Sequence, residues 1–247
     1  MTLNGGTNLN KKLGWTLCLL TLALCVSSLP AMADSTLFSD LGPTGNWYNC
    51  CSGWTVSGTG TVGTSFTSAN EFTAGGTLGQ QYSITTIDLG VGWVTGVNTF
   101  YAAVYNASGG LPVGLPLDSW SNLSGCISFG SECGLVTINV GGALHLTGGN
   151  QYFVVLGPMD TGDTSWQAWN WNNQSVNGLD LYATSGCQNG TFGQGCSWNS
   201  NGTGNPLGAF DVLGNPGGGT TPEPSSLLLL GTGLVGAFGV IRRKLHQ

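Results

Sequence analysis

Residues 34–214 are expected to form an all-β, antiparallel β-sandwich of jelly-roll-like topology. Three observations carry this expectation. Apolar residues occur in short alternating or continuous runs bounded by Gly, Asn, Pro and Ser, the pattern of strands separated by turns. Nowhere in this region do apolar residues recur at the spacing of an amphipathic helix. Glycine is abundant, 43 of 247 residues, yet Trp, Tyr, Phe, Val and Leu recur throughout. A turn-rich chain of this length therefore still has the material for one core, and disorder is not expected.

The clearest strands follow in chain order. QYSITTIDLGV at 81–91 alternates, and VNTFYAAVYN at 97–106 comes next. From Tyr101 to Tyr105 the second of these is apolar on both parities, so it should be a central strand covered on both faces. NASGGLPVG at 106–114 reads as a turn, with Gly109 and Gly110 supplying positive φ and Pro112 stopping the pairing. Strands at 135–140 and 150–157 follow; Tyr152 to Leu156 is again apolar on both parities and hence central. The last three are 165–171, 178–184 and 208–214. Residues 215–221, NPGGGTT, hold nothing that could join a core and should act as a flexible linker.

Both ends of the chain differ from this pattern. Lys11 and Lys12 precede an apolar stretch, and SSLPAMA then brings Pro30 and the small residues Ala31 and Ala33. That is the layout of a secretory signal peptide, residues 1–33, with cleavage between Ala33 and Asp34; a short N-terminal anchor is the alternative. At residues 222–247, Pro222-Glu223-Pro224 leads into an uncharged apolar run that ends at Arg242, Arg243 and Lys244. As a helix the run would reach roughly 25 Å, close to the ~30 Å hydrocarbon core of a bilayer. The basic cluster would stay on the cytoplasmic side. A buried C-terminal helix is the alternative, but every face of the run is apolar. A transmembrane helix is expected.

These two ends hold all five Lys and Arg of the chain. The exported region is acidic without a single cation, which excludes phosphate-backbone neutralisation and so nucleic-acid binding. It equally excludes an arginine clamp for anionic substrates. Six cysteines remain after export: Cys50, Cys51, Cys126, Cys133, Cys187 and Cys196. In an oxidising compartment they are candidate disulfide partners. Cys126–Cys133 and Cys187–Cys196 are favoured because each pair closes a short Gly/Ser-rich loop. Cys50 and Cys51 have Cα atoms about 3.8 Å apart, below the usual range of about 4.4–6.8 Å. A strained vicinal bridge and two free thiols both remain open. Zinc is disfavoured, since there is no Cys-x-x-Cys and only His145 lies nearby.

Catalytic signatures are weak. His145 is the one candidate base, without a Gly-x-Ser-x-Gly elbow. The carboxylates show no spacing that singles out a hydrolytic pair. Asp160 and Asp163 in MDTGDTSW would either help bind Ca²⁺ or cap their own loop backbone, the latter being favoured. No enzyme, cofactor or metal is expected. The tryptophans are more informative. On a regular strand Trp169 and Trp171 share one face, beside Asn170, Asn172 and Asn173. They are candidate glycan-binding residues, through stacking of sugar C–H groups on indole. The competing reading, which we favour, places them in the core.

Pro222-Glu223-Pro224, the apolar run and Arg242-Arg243-Lys244, in this order at the C-terminus, resemble the PEP-CTERM sorting signal of exported bacterial proteins. The resemblance implies recognition by an exosortase, a membrane protease that cleaves near Pro222–Pro224, and a bacterium that makes exopolysaccharide. FTAGGTLGQQYSITTIDLGVGWVTG, the VYNASGGLPVG turn, NQYFVVLG and GAFDVLG are similar in layout to domains carried by such proteins. The expected function is that of a non-enzymatic cell-surface or matrix protein, transiently anchored in the membrane and associated with exopolysaccharide. A lectin-like carbohydrate-binding module and a secreted polysaccharide hydrolase are the alternatives.

Overall fold

Short apolar runs and frequent glycines fold as strands joined by tight connections. The structure, a computed structural model, describes residues 34–127, 129–184 and 195–217. The first elements are β1 (Ser35–Ser39), β2 (Asn49–Ser57), a single helical turn α1 (Thr59–Val62), β3 (Thr67–Thr73), β4 (Gln81–Leu89) and β5 (Val91–Thr95). There follow β6 (Phe100–Ser108), β7 (Leu111–Leu123), β8 (Val136–Asn139), β9 (His145–Thr147) and β10 (Gln151–Gly157). The last are β11 (Trp166–Trp171), β12 (Asn177–Ala183), β13 (Asn199–Pro206) and β14 (Phe210–Pro216). The expected antiparallel sandwich is present, its strands divided among three hydrogen-bonded sheets. One has the order β1-β14-β4-β8 with β9 also on β4; the second is β13-β12-β3-β10-β6-β7; the third is β2-β11-β5.

Strands β6 and β10 behave as their composition demands. They pair in regular register, Phe153 opposite Tyr105 and Val154 opposite Val104, so one parity of both strands points the same way. Phe100, Ala102, Val104, Tyr152, Val154 and Leu156 enter the larger core. Tyr101, Ala103, Tyr105, Phe153 and Val155 form a second cluster with Ala69 and Leu181. The larger core is shared by all three sheets, through Ile84, Ile87 and Leu89 of β4, Phe210 and Val212 of β14, Val56 of β2, Val91 of β5 and Trp169 of β11. Burying each large apolar side chain fully contributes about 1.5–3 kcal/mol.

Irregularities account for what the alternation alone does not give. Ile84 and Ile87 have opposite parity yet both enter the core, because the β14–β4 register shifts between Leu213 and Gly214. The stretch expected as one strand at 81–91 is two. At Gly90 the chain leaves the first sheet and β5 joins β11 in the third. Gly90 N–H donates to Ala209 O (2.9 Å) and its carbonyl accepts from Asn170 N (2.8 Å), so both of its backbone groups are taken by neighbouring segments.

The hairpin between β6 and β7 has Gly109 and Gly110 at φ 60° and 72°, the doubly positive geometry of a two-residue type I′ turn. Pro112, however, does not stop the pairing. It lies opposite Ala107, and β7 continues to Leu123. The proline is tolerated because β7 is the edge of its sheet, where a missing N–H breaks no ladder. Strand β14 runs to Pro216, into the stretch expected as linker. The expected signal peptide at 1–33 and sorting tail at 222–247 lie outside the described residues. Among the described residues no helix is long and apolar enough to cross a membrane.

Candidate functional site

The tryptophan-rich strand β11 is the centre of the three-stranded sheet, and a single irregularity separates its two candidate glycan-binding residues. Trp169 lies opposite Trp54 in regular register, whereas Trp171 lies opposite Asn49, with a shift between Asn170 and Trp171. Trp169 is 0% exposed. Its indole N–H donates to Ala209 O at 3.1 Å, and its ring lies 5.7 Å from that of Phe210. A Cβ added at Gly208 would stand 2.5 Å from the indole, so the backbone there presses directly on the ring. No face of Trp169 is left for a sugar, which rules out the paired platform that regular alternation suggested.

Trp171 is half-buried and leans on Trp54 at 5.3 Å and 59°. Its indole nitrogen is buried without a hydrogen-bond partner, while Trp54 Nε1 donates to Pro206 O at 3.0 Å. The neighbouring amides serve the fold. Asn172 Nδ2 donates to Val176 O (2.7 Å) and Leu207 O (2.9 Å), and Asn173 Nδ2 donates to Asn46 O (2.8 Å). Asn170 is buried.

The register shift that displaces Trp171 also exposes the cysteine pair. Ladder partners of β11 jump from Gly53 to Asn49, so Cys50, Cys51 and Ser52 bulge out of β2 without partners on β11. Cys50 and Cys51 are free thiols with Sγ atoms 3.0 Å apart. Their shared hydrogen bond is the main influence holding the Cys50 thiol above its ordinary pKa. Cys126 and Cys133 are disulfide-bonded, with Cα atoms 5.8 Å apart. Their loop docks on β5 through Cys126 N to Val91 O (2.8 Å) and Trp93 N to Cys126 O (2.7 Å). It reaches the bulge through Gly130 N to Cys50 O (3.0 Å). Cys196 is disulfide-bonded, and Cys187 lies outside the described residues.

In a region without cations two carboxyl groups are buried and a third is partly buried. Asp40 is 1% exposed; Phe210 N donates to its Oδ1 at 2.7 Å, and its Oδ2 has no partner. Burial pushes its carboxyl up to about 8. Asp180 receives hydrogen bonds from Asn70 and Asn201, but burial still raises it to about 7. Asp211 stands directly opposite Asp88 in the β14–β4 ladder. Burial and, secondarily, the Asp88 charge raise Asp211 to about 7. Like charges facing each other across a ladder repel, and a proton on Asp211 relieves that. Asp40 and Asp180 are used in hydrogen bonds within their sheets and are closed to a substrate, whereas Asp211 is only partly buried.

The remaining candidates serve local structure. His145 Nδ1 lies 3.1 Å from Ser83 Oγ, a contact between cross-strand neighbours on β9 and β4. Sequence reasoning missed this pair, since 62 residues separate the two. No carboxylate among the described residues hydrogen-bonds His145 to complete a triad. Asp163 Oδ1 accepts from Ser165 N (2.8 Å) and from its hydroxyl, and Asp160 Oδ1 accepts from Gly162 N (2.9 Å). These are the bonds of carboxylates capping their own loop. Among the described residues no cluster of three His, Cys, Asp or Glu is placed to hold a metal ion.

No curated protein matches this chain. Among solved structures it is similar to the cysteine protease and lectin-like domains of Cwp84, a surface layer associated protein of Clostridium difficile, at 14% identity and a TM-score of 0.38. The similarity covers 62% of this chain and 33% of that one, so the chain spans about a third of that structure's length. Residues 220–244 match the PEP-CTERM protein-sorting motif. They contain Pro222-Glu223-Pro224 at one end and Arg242, Arg243 and Lys244 at the other. The chain thus carries at its C-terminus the sorting signal of an exported, exosortase-processed surface protein.

Proposed function

We propose that this protein is a non-enzymatic component of the cell surface or extracellular matrix that associates with exopolysaccharide once exosortase has removed its membrane-anchoring tail. The observation that carries this reading is the sorting motif at 220–244, placed directly after a domain without Lys or Arg. A sorting tail of this kind holds the exported domain at the membrane until it is cut, then releases it outward. The domain that remains has Ser, Thr, Asn, Gln and Gly as its main polar residues, groups that exchange hydrogen bonds with sugar hydroxyls without needing charge. Two of its carboxylates, Asp40 and Asp180, are each 1% exposed and so out of a substrate's reach.

A lectin-like reading has one observation in its favour, the half-exposed Trp171 against Trp54. Both readings are tested by mixing processed protein with exopolysaccharide from the same cells, then assaying co-sedimentation and release of reducing ends. The proposal predicts retention without release, undiminished in Trp171→Ala. Retention abolished by that substitution would make the protein a lectin. Release of reducing ends would make it a hydrolase, and absence of retention would remove the polysaccharide link.

A further inference from the structure

We infer that Cys50 and Cys51 are a modification site: a vicinal dithiol that an exported disulfide oxidant closes into a disulfide and that external thiols reopen. Consecutive residues of a regular strand point to opposite faces, which would keep their sulfurs apart. Here they sit in a bulge, between Asn49 opposite Trp171 and Gly53 opposite Asn170. The bulge removes the alternation and brings the sulfurs to 3.0 Å. Because β2 is an edge strand, the bulge disturbs no second ladder. Cys51 is exposed and Cys50 half-buried, so a reagent from solution reaches the pair. The surroundings fix the backbone on both sides. Gly130 N donates to Cys50 O at 3.0 Å, and Cys51 Sγ faces Gly130 O at 3.7 Å.

The reaction balances with a protein disulfide as oxidant. The Cys51 thiolate attacks one sulfur of that disulfide and expels the other as a thiolate. The Cys50 thiolate then attacks Cys51 Sγ, expelling the first sulfur and forming the Cys50–Cys51 bond. Two electrons reduce the oxidant to a dithiol, which also takes up the protons that Cys50 and Cys51 lose. The product differs in kind from the other bridge. Adjacent Cα atoms about 3.8 Å apart lie below the comfortable range of about 4.4–6.8 Å, whereas Cys126 and Cys133 stand 5.8 Å apart, within it. Bridges strained in this way are the reducible ones. The disulfide of the β5-docked loop is therefore structural, and the one beside it opens and closes.

The test equilibrates the processed protein in glutathione buffers of increasing oxidised fraction, then alkylates with a maleimide and measures intact and peptide masses. Cys50 and Cys51 should lose alkylation together, in one transition, giving a peptide lighter by two hydrogens and free of glutathione. Cys50→Ser and Cys51→Ser should each accumulate a stable glutathione adduct instead. The proposal is overturned if the wild-type pair ends as glutathione adducts. It is equally overturned if both thiols stay alkylable in fully oxidised glutathione, or if the new bond joins either residue to Cys126 or Cys133.

Discussion

In the six-stranded sheet, β6 and β10 keep strict alternation over their whole pairing, and each residue's parity decides which core it enters. In the three-stranded sheet, β11 is irregular at both ends: its register shifts against β5 between Trp166 and Gln167, and against β2 between Asn170 and Trp171. Both sheets bury aromatic residues completely, Phe153 in one and Trp169 in the other. The difference lies in what happens at the margin. The first sheet carries its irregularities out to the edge strands β7 and β13, while the second ends in a bulge that presents a half-buried tryptophan and two thiols. Interruptions thus serve both ends: the shift in the β14–β4 ladder brings Ile84 and Ile87 into the core, and the one between β11 and β2 presents accessible chemistry.

The comparison is broken most directly by truncation. Trp169→Ala and Phe153→Ala should each destabilise the fold by about 3–5 kcal/mol, lowering the thermal midpoint by on the order of ten degrees. An effect on Trp169 much smaller than on Phe153 would mean that the three-stranded sheet is an appendage without a share in the core.

The next effect in size comes from the buried carboxyls. In the unfolded chain Asp40, Asp180 and Asp211 lose their protons near 3.8, but in the folded one they hold them to about 8, 7 and 7. The native state binds more protons across this window, so their stabilisation is complete below about pH 4 and is lost as pH rises through about 7–8. Denaturant titrations should show stability falling throughout the range from pH 5 to pH 8, most steeply below pH 7 where all three groups contribute. Asp40→Asn should flatten that slope. A profile that rises with pH would contradict the burial of these groups without cations.

The smallest effect sharpens the contrast within β11 itself. Trp171→Ala should cost only about 1 kcal/mol, in line with partial burial, as read from the same titrations. A loss equal to that of Trp169→Ala would place both residues in one regular strand and remove the bulge from the account.

What the sequence displayed was the part of the fold governed by alternation. The both-parity runs at 101–105 and 152–156 identified the central strands, and Gly109-Gly110 identified the hairpin. Strand β13, NSNGTGNP, went unread because it carries almost no apolar signal, and β2, NCCSGWTVS, because its adjacent cysteines and Gly53 break the alternation. Their partners β11 and β12 hold them by backbone pairing. Bulges were equally hidden, since register is a property of two strands at once. That is why Trp169 and Trp171 looked equivalent, and why the sequence left open whether the sulfurs of the adjacent cysteines would meet. Cys126–Cys133 was legible because a short loop closes it without help from the rest of the fold.

In the proposed function this domain is exported, held by its tail and then cut free. Intact mass spectrometry of the protein recovered from the native cell surface tests it most directly. The recovered species should begin at Asp34, end near Pro222–Pro224 and lack the Arg242-Arg243-Lys244 cluster. Released protein that still contains Arg242 peptides would contradict it.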